Sequence, residues 1–325
     1  MNVFVTGASG FVTSAVARAL AARGDTVRAL VRDARRARAL EGIELIHGDL
    51  ANENALRTGM QGVDAVIHGA AMYEIGLNKR QREQMHEANV RGTAHVLSTA
   101  RAAGIPRVVY ISTVAVFGNT HGQIVDETYV RSDPTYTSYY EETKVRAHEI
   151  AQGFIADGLA VVIVQPGQVY GPQDHSGFGV LLGSVARGRL PIVPFPDLGL
   201  NLTYRDDVAA GIVRAVDAGK PGRSYVMGGE IVRAADAFAT LAKVVGRPAP
   251  RWTLPYGVLE AAALFRGQLS EVISSAKGVT FWATDERAKR ELGYTSRPLE
   301  EGLRETYSSN SASPADAGRS NHLRP

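Results

Sequence analysis

The chain opens with a strand-like run, Asn2–Thr6, that leads directly into Gly7-Ala8-Ser9-Gly10 and a helical pattern from Phe11. This junction constrains the fold more than any other feature. Gly7 and Gly10 let the backbone turn tightly and approach a pyrophosphate, whose charge the following helix N-terminus attracts. In a chain with 34 glycines a G-x-x-G pair is weak evidence by itself. Placed directly behind the first strand, it marks a dinucleotide-binding βα unit, the bland alternative being a merely tight turn. Gly7, Ser9, Gly10, Phe11 and Val12 are the expected loop contacts. A small residue is expected three positions after Gly10, where the helix packs on the sheet, but Thr13 stands there. Its branched side chain should push the helix outward, and Thr13→Gly should change stability by less than ~1 kcal/mol.

The first half repeats the same alternation. Near-continuous apolar runs at Asn2–Thr6, Thr26–Val31, Ile43–Gly48, Ala65–His68, Arg107–Ser112 and Ala160–Val164 read as strands buried on both faces. Helical patterns lie between them, at roughly Phe11–Arg23, Glu53–Thr58, Gln81–Ala103 and Ser138–Ala156. The predicted fold class is α/β, a doubly wound parallel sheet (Rossmann fold) with a smaller, discontinuous C-terminal substrate-binding domain. Residues 1–165, with 203–228 returning to them, form the expected nucleotide-binding domain. Residues 166–202 and 229–307 form the substrate-binding part. Proline and glycine make 166–201 read as loop-rich, helix returns near Asp206–Asp217, and Ser224–Met227 reads as a strand. Residues 308–325 have no periodic apolar face and read as a disordered tail.

Composition excludes several classes. There are no cysteines, so no disulfide framework, thiol nucleophile or thiolate zinc site is available, and no metal site is expected. Basic residues number 36 and acidic residues 33, a net charge of +3 with the signs mixed along the chain. Nucleic acid is therefore not an expected partner. No apolar run approaches the ~18 residues of a membrane span. Met1 leads straight into a strand rather than a signal peptide, so a soluble cytoplasmic protein, monomer or homodimer, is expected.

The end of the second strand bears on cofactor choice. A carboxylate there binds a ribose 2′-hydroxyl, whereas arginine accommodates a 2′-phosphate. Val31 ends the strand and Arg32 follows, with Arg35, Arg36 and Arg38 behind it. NADP(H) is thus favoured over NAD(H), although a solvated basic turn would look alike. Asp33 is read as an outward-facing helix N-cap. Further along, Tyr140 and Lys144 stand one turn apart on one helix face. A tyrosine of ordinary pKa ~10 is a poor acid–base group at neutral pH, and a nearby ammonium brings it toward the working range. No other lysine has a tyrosine four residues before it. Ser112 and Thr113 end a strand whose C-terminal edge faces the ligand crevice, where a hydroxyl can bond a substrate carbonyl. A Ser-Thr pair there is also an ordinary turn former.

In combination these motifs resemble the extended short-chain dehydrogenase/reductases, the NAD(P)-dependent epimerase/dehydratase superfamily. The nearest branch is the dihydroflavonol-reductase and 3β-hydroxysteroid-dehydrogenase-like one. The resemblance runs over about residues 1–306 and rests on the motifs above together with Gly48-Asp49-Leu50, His68-Gly69-Ala70-Ala71 and Asn89-Val90-Arg91-Gly92-Thr93. Gln165-Pro166-Gly167-Gln168-Val169-Tyr170-Gly171-Pro172, Asp206-Asp207-Val208-Ala209 and Glu291-Leu292-Gly293-Tyr294 complete it. It implies that Asp49 and Leu50 flank the adenine, and that Ala70 and Ala71 line the nicotinamide ribose. Pro166 and Val169 would approach the carboxamide. Thr113, Tyr140 and Lys144 match the catalytic set, Tyr140 and Lys144 also meeting the cofactor. Asn89 matches a helix asparagine that supports a proton relay in related enzymes, with a purely structural role as the alternative.

The function implied is an NADPH-dependent carbonyl reductase or alcohol dehydrogenase acting on a small, apolar or aromatic substrate, with Tyr140 as acid–base group. Tyr73, Phe117, Tyr136, Phe178 and Tyr204 are the candidate pocket walls, with core packing as their bland alternative. A nucleotide-sugar epimerase or dehydratase using NAD is the second reading. The missing acid at Val31, Gln168 in place of an asparagine, and Asn201-Leu202-Thr203-Tyr204 in place of a sugar-nucleotide arginine speak against it. A non-catalytic NADP sensor is the third, disfavoured because Tyr140, Lys144 and Thr113 are all kept. On cofactor choice, NADPH should bind at least about tenfold more tightly than NADH, or about 1.4 kcal/mol. Arg32→Ala should erase most of that preference without affecting NADH. Equal affinities in a fluorescence titration of the wild type would refute the assignment.

Overall fold

In a computed structural model of the chain, residues 1–33, 40–264 and 267–308 are described. Arg35, Arg36 and Arg38, the helix that Asp33 was expected to cap, and the tail from 309 lie outside the described residues.

The first half forms strands β1 (Asn2–Thr6), β2 (Thr26–Val31), β3 (Glu44–His47), β4 (Ala65–His68), β5 (Val108–Ile111) and β6 (Val161–Pro166). The second half adds β7 (Gln168–Tyr170), β8 (Ile192–Val193), β9 (Gly199–Tyr204), β10 (Ser224–Met227), β11 (Glu230–Arg233) and β12 (Trp252–Thr253). Seven of these make one sheet in the order β3-β2-β1-β4-β5-β6-β10, with every pairing parallel. Helices α1 (Phe11–Ala22), α2 (Glu53–Met60), α3 (Lys79–His86), α4 (Gly92–Ala102) and α5 (Tyr139–Ala156) connect the strands. The chain winds outward one way through β2 and β3, then crosses to β4 and winds the other way. The sheet therefore opens between β1 and β4, where Thr6 is in register with His68. Ligands bind at such a switch point, outside the C-terminal strand ends.

The strands divide their side chains between two cores. Val3, Val5, Ile67, Val109 and Val164 join α1 on one face. Phe4, Val66, Tyr110 and Ile163 point to the other, where Leu56, Leu97 and Ala147 meet them. Alternation along a strand buried on both sides explains why the runs look uniformly apolar.

The second half contributes α6 (Gly177–Ala186), α7 (Arg205–Ala218), α8 (Ala234–Val244), α9 (Tyr256–Ala263), α10 (Gly267–Ser274), α11 (Glu286–Leu292) and α12 (Leu299–Tyr307). β7, β9 and β11 form a separate small sheet, and β8 pairs with β12. The expectation of a loop-rich 166–201 segment is corrected here, because it holds β7, α6, β8 and the first half of β9. The glycines misled. In α6, Gly179 serves close packing rather than turning: a Cβ there would fall 2.4 Å from the Asp174 carboxyl carbon. The C-terminal segment is fastened by Arg297, which pairs with Asp207 at 2.8 Å and stacks 4.0 Å from the Tyr204 ring centroid. Among the described residues, no helix is long and apolar enough to cross a membrane.

The predicted Gln81–Ala103 helix is one run with a fault in it. A π-turn at Glu87–Arg91 separates α3 from α4, and such bulges are typically found at functional sites. The bulge carries Asn89, which belongs to a buried polar chain. Thr93 Oγ1 donates to the Asn89 carbonyl at 2.6 Å, so it must accept from His68 Nε2 at 3.0 Å. His68 Nδ1 then accepts from Thr6 Oγ1 at 2.8 Å, and Thr6 accepts from the Ala70 amide at 3.4 Å.

Burial, with the Lys144 charge adding, holds the His68 pKa down at about 3. The neutral ring is thus the folded form, whereas the unfolded chain takes up a proton as pH falls through ~6.5. Stability from His68 is full above that pH and lost below it. By linkage, about 2 kcal/mol should disappear between pH 7.5 and pH 5. Urea titrations of the wild type and His68→Asn at both pH values should show the smaller loss in the variant.

Candidate active site

The glycine loop leaves β1 with Gly7 in the left-handed region, at φ +76°. A Cβ there would strike the Ala70 backbone at 2.6 Å, so the loops leaving β1 and β4 touch main chain to main chain. Gly10 N donates to the Gly7 carbonyl at 2.7 Å. Thr13 Oγ1 donates to the same carbonyl, and its methyl fills the space where a Gly69 Cβ would fall, 2.3 Å away. Thr13 is 3% exposed. The expectation of a crowding residue is corrected: Thr13 closes the turn with its hydroxyl and packs the helix down. Gly10 caps α1 without any side-chain bond, and no acidic residue occupies the first turn. The positive end of α1 is left to a diphosphate, so these residues fit a dinucleotide.

The other expected cofactor contacts mostly stand at or just beyond the C-terminal ends of strands. Arg32 is exposed directly behind Val31, at the C-terminal end of β2. Asp49 is exposed and accepts from the Ala51 amide at 3.0 Å, while Leu50 packs on Gly92. Ala70 and Ala71 follow β4, Pro166 ends β6, and Val169 lies half-buried in β7.

Tyr140 lies in the first turn of α5, whose N-cap Ser138 accepts from the Glu141 amide at 3.2 Å. Thr113 follows β5 and caps a short 3₁₀ turn by accepting from the Ala115 amide at 3.2 Å. Burial drives the Tyr140 pKa upward, Tyr73 and Tyr110 adding to it, while the facing Thr113 hydroxyl acts the other way. The phenol therefore keeps its proton at neutral pH. Lys144 is buried and donates to the Ile111 carbonyl at 3.0 Å, its ammonium 5.2 Å from the Tyr110 ring centroid. Burial lowers its pKa to about 8, so most of it is charged at pH 7. That charge helps hold His68 and His148 neutral.

Asn89 connects these parts. Its amide pairs with the Met72 backbone at 2.7 and 3.0 Å and donates to Thr143 Oγ1 at 3.0 Å. It thus joins the loop after β4 to the turn of α5 between Tyr140 and Lys144. Ser112 bonds His148 Nδ1 at 3.0 Å one turn further along α5. Neither His68 nor His148 was given a role from the sequence, where His68 merely ends an apolar run and His148 stands among the charged residues of a helix.

Of the five aromatic residues expected to wall the pocket, Tyr73 stands beside Tyr140, edge to face at 4.7 Å between centroids and 46% exposed. Tyr136 lies under the Arg131 guanidinium at 4.6 Å. Phe178 stacks on Phe238 at 5.8 Å, against the apolar cluster that includes Leu182 and Leu241. Two are corrected. Tyr204 is 1% exposed, enclosed by Tyr170, Arg297 and the C-terminal helix, and Phe117 is 6% exposed in a cluster with Val114 and Val145.

The Thr13 geometry revises the expected effect of its substitution. Thr13→Val keeps the shape but removes the bond to the Gly7 carbonyl, which should cost about 1 kcal/mol. Thr13→Gly removes packing as well and adds helix entropy, so about 2–3 kcal/mol should be lost. Urea denaturation checks both, and a Thr13→Val protein as stable as wild type would remove the role.

Comparison with known proteins agrees with this geometry. The NAD dependent epimerase/dehydratase family matches residues 3–228. The chain is 36% identical over 261 residues to a putative dihydroflavonol 4-reductase of Synechocystis sp., covering 78% of this chain and 75% of that protein. It is 30% identical over 336 residues to the 2-alkyl-3-oxoalkanoate reductase of Stenotrophomonas maltophilia, covering 96% of this chain and all (100%) of that one. The crystal structure of gox2253 matches with a TM-score of 0.80 at 31% identity, over 94% of this chain and 96% of that chain. With its glycine loop, parallel sheet and Tyr140–Lys144 pair, the chain belongs to the NAD dependent epimerase/dehydratase family of extended short-chain dehydrogenase/reductases.

Proposed function

We propose that the protein is an NADPH-dependent carbonyl reductase acting on a small apolar or aromatic substrate. The observation that carries the reading is the Tyr140 phenol set against the Thr113 hydroxyl, with the exposed Tyr73 ring beside it. A phenol beside a hydroxyl can pass its proton to an oxygen on which negative charge develops, and take it back in the reverse direction. The two relatives named above are both reductases.

When bound, the nicotinamide supplies the hydride that reaches the carbonyl carbon. Thr113 holds the carbonyl oxygen, and Tyr140 gives its proton to that oxygen as the alcohol forms. Lys144 places a positive charge beside the phenolate left behind and bonds the ribose. Arg32 selects the 2′-phosphate. Residues 1–165 and 203–228 serve the cofactor, while 166–202 and 229–307 enclose the substrate. Orientation and electrostatics are the protein's contribution.

The test is NADPH consumption across a panel of aryl ketones, β-ketoesters and steroid ketones. Tyr140→Phe should lower kcat by roughly 10²–10⁴-fold while NADPH affinity, read by fluorescence, stays nearly unchanged. Lys144→Ala should damage both rate and affinity. The double variant should lose less than the product of the two single losses, because groups acting as one unit are not additive. A Tyr140→Phe enzyme keeping more than about a tenth of wild-type kcat would overturn the assignment of the proton donor.

A further inference from the structure

Helix α10 lies far from the glycine loop in sequence but directly against the catalytic helix. We propose that Glu271, on α10, is a positioning residue that fixes the first turn of α5 and with it Tyr140. The inference rests on the role of Tyr140 proposed above and adds a residue from the C-terminal half to that site.

The geometry divides one carboxylate between two elements. Glu271 Oε1 accepts from the Tyr139 amide at 2.6 Å, and Oε2 accepts from Arg82 at 2.8 Å. The Glu271 side chain is 9% exposed. Arg82 belongs to α3 and also lies 5.2 Å from the centroid of the Tyr139 ring. Three residues on from Glu271, Ser274 Oγ donates to the Thr137 carbonyl at 2.8 Å. On its other side α10 meets the loop after β4, since a Cβ on Gly76 would lie 3.0 Å from the Gln268 carbonyl and 3.5 Å from Val272. One helix therefore covers both the loop bearing Ala70, Ala71 and Tyr73 and the turn bearing Tyr140.

The first amides of a helix have no partner within it and carry its positive partial charge. Ser138 satisfies the Glu141 amide from within α5's own cap. The Tyr139 amide, immediately before Tyr140, takes its acceptor from 132 residues downstream. A carboxylate there makes a charge-assisted bond, stronger than a neutral one. On the following side of Tyr140, the Glu141 carboxylate is held by the Thr137 amide at 2.9 Å and by Arg131 at 3.0 Å. With both neighbours pinned, the phenol has little freedom to tilt, and ~1 Å of misplacement can cost about 10²-fold in rate. A role confined to stability would change the unfolding midpoint and leave kcat alone.

Kinetics with NADPH varied up to saturation, and amide exchange, both on the full-length protein, separate these cases, with ethyl benzoylacetate as the carbonyl probe. Glu271→Ala should lower kcat at least about tenfold, change KM for NADPH by less than about twofold, and speed amide exchange in residues 139–144. Glu271→Gln should keep about a third or more of kcat, because its carbonyl oxygen still accepts from Tyr139. Glu271→Asp keeps the charge but withdraws it by one methylene; a loss of about fivefold is expected, which carries the test if the alanine protein does not fold. Unchanged exchange with kcat within about twofold of wild type in a folded Glu271→Ala protein would overturn the proposal. So would a Gln variant as impaired as Ala, which would place the effect in the Arg82 charge pair. Exchange requires no turnover, so a wild type inactive on the probe would count against the carbonyl reading while the exchange comparison still judges the clamp.

Discussion

The contact on which the mouth of this sheet depends is the one between Gly7 and Ala70, backbone against backbone. It draws the loops from β1 and β4 together at the point where the winding reverses. Two buried devices maintain it. Thr13 ties the Gly7 carbonyl from above, and the chain Ala70–Thr6–His68–Thr93–Asn89 ties the other loop from below. Every proton in that chain has one available direction, because Thr93 spends its own on the Asn89 carbonyl. Each side chain of this one chain is thus paired, which favours a single arrangement of the strand ends.

The electrostatics of the site follow from Lys144. It is a buried ammonium whose bonded partner is a main-chain carbonyl and which stands over the Tyr110 ring. Its charge falls on groups that stay neutral in answer, His68 and His148. A positive centre with neutral surroundings favours charge that arrives from outside, on a diphosphate or a developing alkoxide.

Much of the architecture was legible because burial on both faces leaves an unbroken apolar run. β1, β2, β4 and β10 lie where the runs placed them. The π-turn was not legible, since Glu87–Arg91 continues the helical pattern and only the hydrogen bonding differs. Nor was α6, where glycine makes room for Asp174 and so mimics a loop. Thr13 illustrates a different limit: its size was visible, but the bond that its hydroxyl makes required the fold of the loop. Tyr204 and Phe117 were ambiguous by type, since an aromatic residue suits a pocket wall and a core equally. Glu271 had no local signal, because its partners are assembled from distant segments.

One consequence concerns synthesis rather than catalysis. β6 is buried along its whole length, and one of its two neighbours is β10, which is made only 58 residues after Pro166. During translation, Val161-Val162-Ile163-Val164 is therefore an unpaired hydrophobic edge, the kind of template that invites pairing with another chain. At typical rates of about 5–20 residues per second this exposure lasts several seconds. The stretch of chain holding β7, α6, β8, β9 and α7 must emerge before the edge is covered, so the insertion between the two strands sets a window of vulnerability for the nascent protein.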